Sequence, residues 1–122
     1  CVSVWDNYPS ALTVPLTGSA NELAVLFLST TNAMQTGVEN ARITVEYADG
    51  TREVTSLVYP HGIDDWLVPA LQTEGETVYW NDYNHATVCR IPLCREKTLA
   101  HVRIEAVANE VILGVLGISI SR

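Results

Sequence analysis

Ala41-Arg42-Ile43-Thr44-Val45-Glu46-Tyr47-Ala48-Asp49-Gly50-Thr51-Arg52-Glu53-Val54 is the stretch that decides the fold. Ala41, Ile43, Val45 and Tyr47 alternate with Arg42, Thr44 and Glu46, the two-residue period of a strand with one dry and one wet face. Asp49-Gly50 then marks a hairpin, because tight turns need backbone at positive φ and these residues tolerate it. Two registers compete. A loop of Asp49-Gly50 alone, or of four residues centred there, sets Val45 against Val54 on the core side and Glu46 against Glu53 outside. A three-residue Ala48-Asp49-Gly50 loop with a glycine bulge sets Glu46 against Arg52 and turns Val54 to solvent. Burying a valine is worth about 1.5 to 3 kcal/mol, against about 0.2 to 1 kcal/mol for a cross-strand charge pair. The even-numbered loop is therefore expected.

Outward from the hairpin, short β-rich runs recur between turn residues: Leu12 to Leu16, Glu22 to Ser29, Arg52 to Tyr59, Thr77 to Trp80, Ala86 to Pro92, Leu99 to Val107 and Val111 to Ser121. Val102, Ile104 and Ala106 alternate with Arg103 and Glu105, whereas Leu23 to Leu28 and Val111 to Ile118 are nearly continuously apolar, as strands central to a core or covered on both sides should be. Helix competes over Glu105 to Leu116, but Gly114 and the β-branched residues around it weaken that reading. About eight antiparallel strands without a helix predict an all-β sandwich of jelly-roll type.

At 122 residues the chain has room for one domain and its core. There is no internal repeat and no linker. Seven Lys and Arg stand against fourteen Asp and Glu, a net charge of -7, and the basic residues are scattered singly apart from Arg95 and Lys97. Such a surface repels phosphate backbones and anionic lipids, so neither nucleic acid nor membrane is an expected partner. The longest apolar run, Leu23 to Leu28, falls far short of the roughly 20 residues a transmembrane helix needs. No signal-like segment precedes Cys1 and the chain does not begin with Met, which suggests a piece of a longer polypeptide. The residues do not write the compartment; an extracellular or periplasmic setting is the expectation. Cys89 and Cys94 flank Arg-Ile-Pro-Leu and are expected as thiols, with a disulfide across Pro92 as the alternative.

From Pro60 to Asn84 the chain makes a long polar and aromatic excursion, and long loops on rigid sandwiches often carry function. A sugar ring has an apolar face and a rim of hydroxyls, so its binding calls for flat aromatic rings beside amides and carboxylates. Trp66, Trp80 and Tyr83 supply rings, while Asp82, Asn84 and His85 supply hydroxyl partners; together they form the candidate carbohydrate site. The competing reading makes the same aromatics caps of the core. Asp64-Asp65, Asp82, Glu74 and Glu76 include carboxylates enough for a glycosidase pair, but solvated loop carboxylates are the commoner case. His61, His85 and His101 lie in separate segments without a recognised metal or triad spacing, and His101 reads as a packed or rim histidine. No catalytic residue and no metal ligand is therefore assigned.

Three segments carry a family resemblance: Ser3-Val4-Trp5-Asp6-Asn7-Tyr8-Pro9; Ser29 to Gln35 leading to Val45-Glu46-Tyr47-Ala48-Asp49-Gly50-Thr51; and Ala108-Asn109-Glu110-Val111-Ile112-Leu113-Gly114. Together they resemble an uncharacterised β-sandwich domain of large bacterial polysaccharide-degrading proteins, usually found beside a six-hairpin glycosidase-like domain. The chain departs from that pattern where the family often has a Trp-rich acidic loop, here Asp64-Asp65-Trp66 and Trp80 to His85. The resemblance implies a carbohydrate-binding-like jelly roll that accompanies an enzyme and carries no catalytic residues of its own. Its expected partners are a polysaccharide or oligosaccharide and the catalytic domain of a parent protein. A structural or dimerising module without a ligand is the alternative function, and a small metal-dependent or carboxylate-based glycan-active enzyme the second alternative. No cofactor is expected beyond a structural Ca²⁺, which sandwich modules with acidic loops can hold through oxygen ligands.

Overall fold

A computed structural model describes residues 2–3, 9–30, 39–58, 76–79, 85–107 and 112–122, and within them the chain is all-β. The strands are β1 (Val2–Ser3), β2 (Ala11–Pro15), β3 (Glu22–Thr30), β4 (Glu39–Tyr47), β5 (Arg52–Val58), β6 (Glu76–Tyr79), β7 (His85–Pro92), β8 (Leu99–Ala106) and β9 (Ile112–Ser121). Eight of them match the expected runs to within two residues at each end. The addition is β1, whose two residues are too few to show a period. Of Glu105 to Leu116, where helix is the competing reading, residues 105–106 end β8 and residues 112–116 begin β9.

The strands form two antiparallel sheets, one ordered β1-β9-β3-β7-β6 and the other β2-β8-β4-β5. Among the described residues, one core cluster lies between them. Leu23, Val25 and Phe27 of β3, Ile91 of β7 and Leu113 of β9 join Ile43 and Val45 of β4, Val102 and Ile104 of β8 and Leu57 of β5 in one buried cluster. This is the sandwich arrangement, with inner faces interdigitated and the alternate positions of each strand turned outward.

The apolar runs have a structural origin. β3 is central in its sheet, between β9 and β7, and its odd-numbered side chains from Leu23 to Phe27 fill the core. Ala24, Leu26 and Leu28 face outward, half-buried. Between Leu26 and Phe27 the pairing with β9 slips by one residue, from Leu26 opposite Gly117 to Phe27 opposite Val115. Leu116 is the extra residue of this β-bulge and is 52% exposed. Cys89 is buried and Cys94 half-buried, and no disulfide joins the two, in line with the expectation of thiols.

The hairpin register departs from expectation. Glu46 pairs with Arg52, Val45 with Glu53 and Thr44 with Val54, so Val54 points outward and is 54% exposed. The loop has three residues, with Gly50 at φ +87°, which is the glycine-bulge alternative. Two physical terms decide it. Val54 and Leu57 are three apart in a strand and so face opposite sides of the sheet; only one can enter the core. Leu57 lies nearer the middle of the sandwich and is 2% exposed, while Glu53, which faces inward at the turn end of β5, remains exposed. An inward Val54 would thus gain little burial and would expel Leu57. The turn adds its own preference: Asp49 accepts hydrogen bonds from both the backbone N–H and the hydroxyl of Thr51, closing an Asx turn ahead of the bulge.

Candidate functional site

The outward positions of β2, β8, β4 and β5 form a grid whose rows follow from the pairing. One row reads Pro15, His101, Glu46, Arg52; the next Thr13, Arg103, Thr44, Val54; the third Ala11, Glu105, Arg42, Ser56. The three strands β8, β4 and β5 line an open groove of about 800 Å³ on this face, with Glu39 at one end. Every lining side chain projects from a strand of a hydrogen-bonded sheet. Such a scaffold fixes positions better than a loop does.

Polar contacts within and between strands order the groove. Arg42 reaches Glu39 at 2.7 Å and Glu105 at 3.4 Å, Arg103 lies 3.7 Å from Glu105, and His101 Nε2 lies 3.1 Å from Glu46. Ser56 donates its hydroxyl hydrogen bond to Glu39 at 3.2 Å. Arg52 is exposed and, among the described residues, forms no ion pair, since Glu46 opposite it turns to His101 on its other side. Three of the chain's seven basic residues thus share one face, although along the sequence they are scattered. The groove can offer guanidinium and imidazole N–H donors, carboxylate acceptors and two hydroxyls to a ligand lying across the strands.

The opposite outer face differs in chemistry. On the five-stranded sheet, Ala24, Leu26 and Leu28 of β3 neighbour Val88 of β7 and Leu116 of β9, and none of these belongs to the core cluster. Arg90 and Glu22, paired at 3.0 Å, flank this apolar strip. Ala86, which shares the outward side of β7 with Val88, is only 1% exposed, so part of the face is already covered.

Of the residues expected to bind carbohydrate, Trp66, Trp80, Asp82, Tyr83 and Asn84 lie outside the described residues. His85 is the first residue of β7, opposite Tyr79. Among the described residues, no group of three or more His, Cys, Asp or Glu side chains is arranged to hold a metal ion, and no helix is long and apolar enough to cross a membrane. The groove residues were visible in the sequence only as wet positions, Arg42-Thr44-Glu46 in one strand and Arg103-Glu105 in another. What unites them is the pairing of β4 with β8, between segments more than fifty residues apart. No protein-family model matches the chain, and no curated protein or solved structure matches it.

Proposed function

We propose that this domain is a non-catalytic carbohydrate-binding accessory module of a bacterial glycan-degrading protein, and that the glycan lies across the outer face of the four-stranded sheet. The observation that carries the reading is the groove itself: about 800 Å³, built on three hydrogen-bonded strands and lined by both donors and acceptors. An extended, hydroxyl-rich chain is the ligand shape that such a surface suits. The strand orders β1-β9-β3-β7 and β2-β8-β4-β5 support a jelly-roll wrap, with β6 added at one edge. The aromatics Trp66, Trp80 and Tyr83, with Asp82, Asn84 and His85, are the proposed second contact region. Affinity electrophoresis of the chain through gels containing neutral and acidic plant and bacterial polysaccharides tests the reading. At least one polymer should retard the domain. A paired substitution His101→Ala/Arg103→Ala should relieve that retardation if the groove binds, and Trp80→Ala should relieve it if the loop binds. Unchanged mobility in every gel would sink the carbohydrate reading.

The apolar strip Leu26, Leu28, Val88 and Leu116 favours a second reading, a module that packs against a neighbouring domain or a second copy. Static light scattering distinguishes it. A concentration-dependent rise in mass that Leu116→Glu abolishes would support association through this face.

A further inference from the structure

We infer that the groove selects acidic glycans, with Arg52 and Arg103 as the groups that recognise the carboxylates of uronate sugars. The inference rests on the carbohydrate reading and names the substrate class of that same site.

The first ground is the chemistry of the lining. Among the described residues, the ten side chains that line the groove include three Arg, three Glu and one His, and none is Trp, Tyr or Phe. There a neutral glycan offers hydroxyls, one bond at a time, to the charged side chains, whereas a uronate carboxylate facing a guanidinium carries charge on both partners and takes two parallel bonds at once.

The second ground is the state of the three arginines. Arg42 is engaged on both sides, by Glu39 and Glu105. Arg103 has only the longer contact to Glu105, and its side chain is 49% exposed. Arg52 has no ion-pair partner among the described residues. Two guanidinium groups thus have donors to spare, and each presents the planar fork that takes a carboxylate through two parallel hydrogen bonds. They stand two strands apart, about 10 Å across the sheet by ordinary strand spacing, so that one polymer can meet both.

The third ground is the charge around them. The groove holds three Arg and three Glu, leaving four basic and eleven acidic residues for the rest of the chain. On a protein of net charge -7, a polyanion meets less repulsion at this formally neutral face than the chain's average charge would impose.

The test is affinity electrophoresis and calorimetry on the full chain with polygalacturonate and alginate, beside fully methyl-esterified polygalacturonate, a neutral β-glucan and polyglutamate. A polyuronate should bind, and its affinity should fall as salt is raised. Methyl esterification should abolish the binding. Arg52→Gln and Arg103→Gln should each weaken it about ten-fold, with unchanged circular dichroism, and Arg52→Lys should restore part of it. Equal binding of the esterified polymer or the β-glucan would overturn the acidic selectivity and leave the carbohydrate reading standing. Polyglutamate binding as tight as polygalacturonate would overturn the assignment to sugars. Binding by none of the polymers would overturn both.

Discussion

The hydroxyl of Tyr47 accepts a hydrogen bond from the backbone N–H of Cys94 at 2.9 Å and donates one to the carboxylate of Glu53 at 3.1 Å. One phenol thereby joins the end of β4, the start of β5 and the turn that follows β7. Tyr47 is 2% exposed, and Lys97 Nζ lies 5.5 Å from its ring centroid. Tyr47→Phe leaves the Cys94 N–H without this partner, and should cost about 1 to 3 kcal/mol in urea denaturation.

The same residue sets a limit on alkaline stability. Burial raises the Tyr47 hydroxyl above its ordinary value of 10.0, and the bond to Glu53 adds to this, while the Cys94 N–H opposes it. The folded state thus holds the proton at pH values where the unfolded chain has begun to release it. The resulting stabilisation is complete below pH 10 and is lost as pH rises through the raised folded value. Denaturation midpoints measured from pH 8 to 11 should fall less steeply in Tyr47→Phe than in the parent.

Val54 and Leu57 give a paired test of the hairpin register. Leu57→Ala should cost about 2 to 5 kcal/mol, the range for emptying a buried leucine site, while Val54→Thr should change stability by less than about 0.5 kcal/mol. The opposite ranking would return Val54 to the core.

The turn itself can be probed at Gly50, where a Cβ would meet no atom within 4 Å but φ is +87°. Gly50→Ala should destabilise the domain by about 1 to 2 kcal/mol through backbone strain alone, and Gly50→Asn should recover most of that loss. Asp49 contributes in acid. Its carboxyl is held below the ordinary 3.8 mainly by the hydroxyl and N–H of Thr51. This contribution is present above pH 3.8 and disappears as pH falls through the lower folded value, so Asp49→Asn should flatten the acid limb of the stability profile.

The groove's ion pairs should matter little to folding. The Arg42 side chain is 38% exposed, and exposed pairs contribute about 0 to 1 kcal/mol. Arg42→Ala should therefore leave the thermal midpoint within a few degrees of the parent while changing ligand affinity measured by calorimetry.

What was legible in the sequence follows the physics of the pleat. Alternation in Ala41 to Tyr47 and Val102 to Ala106 reports which side of a strand is dry, and that information is local. Which strands adjoin is not local: β4 meets β8, and β3 meets β9, through pairings that no window of residues contains. The groove is made of such pairings, so Arg103 and Arg52 read as isolated charges until the sheet brings them to one face. The hairpin register has a related cause: an inward position is not always a buried one, because the turn end of β5 lies at the edge of the sandwich, where Glu53 faces inward and is still exposed.

The order β9-β3-β7 has a consequence for how the domain is made. Both neighbours of β3 follow it in the chain, and the later one ends at Ser121. Between the emergence of Leu28 and that of Ser121 a ribosome needs about 5 to 20 seconds at ordinary rates of synthesis. During that interval Leu23 to Leu28 has no native strand on at least one side, exposing an apolar edge to any other chain. Assembly must then wait for β9 and proceed through distant pairings, on the order of milliseconds to seconds. High-level expression should consequently lose more of this domain to inclusion bodies than its folded stability would suggest, and slowing translation or supplying a holding chaperone should recover it.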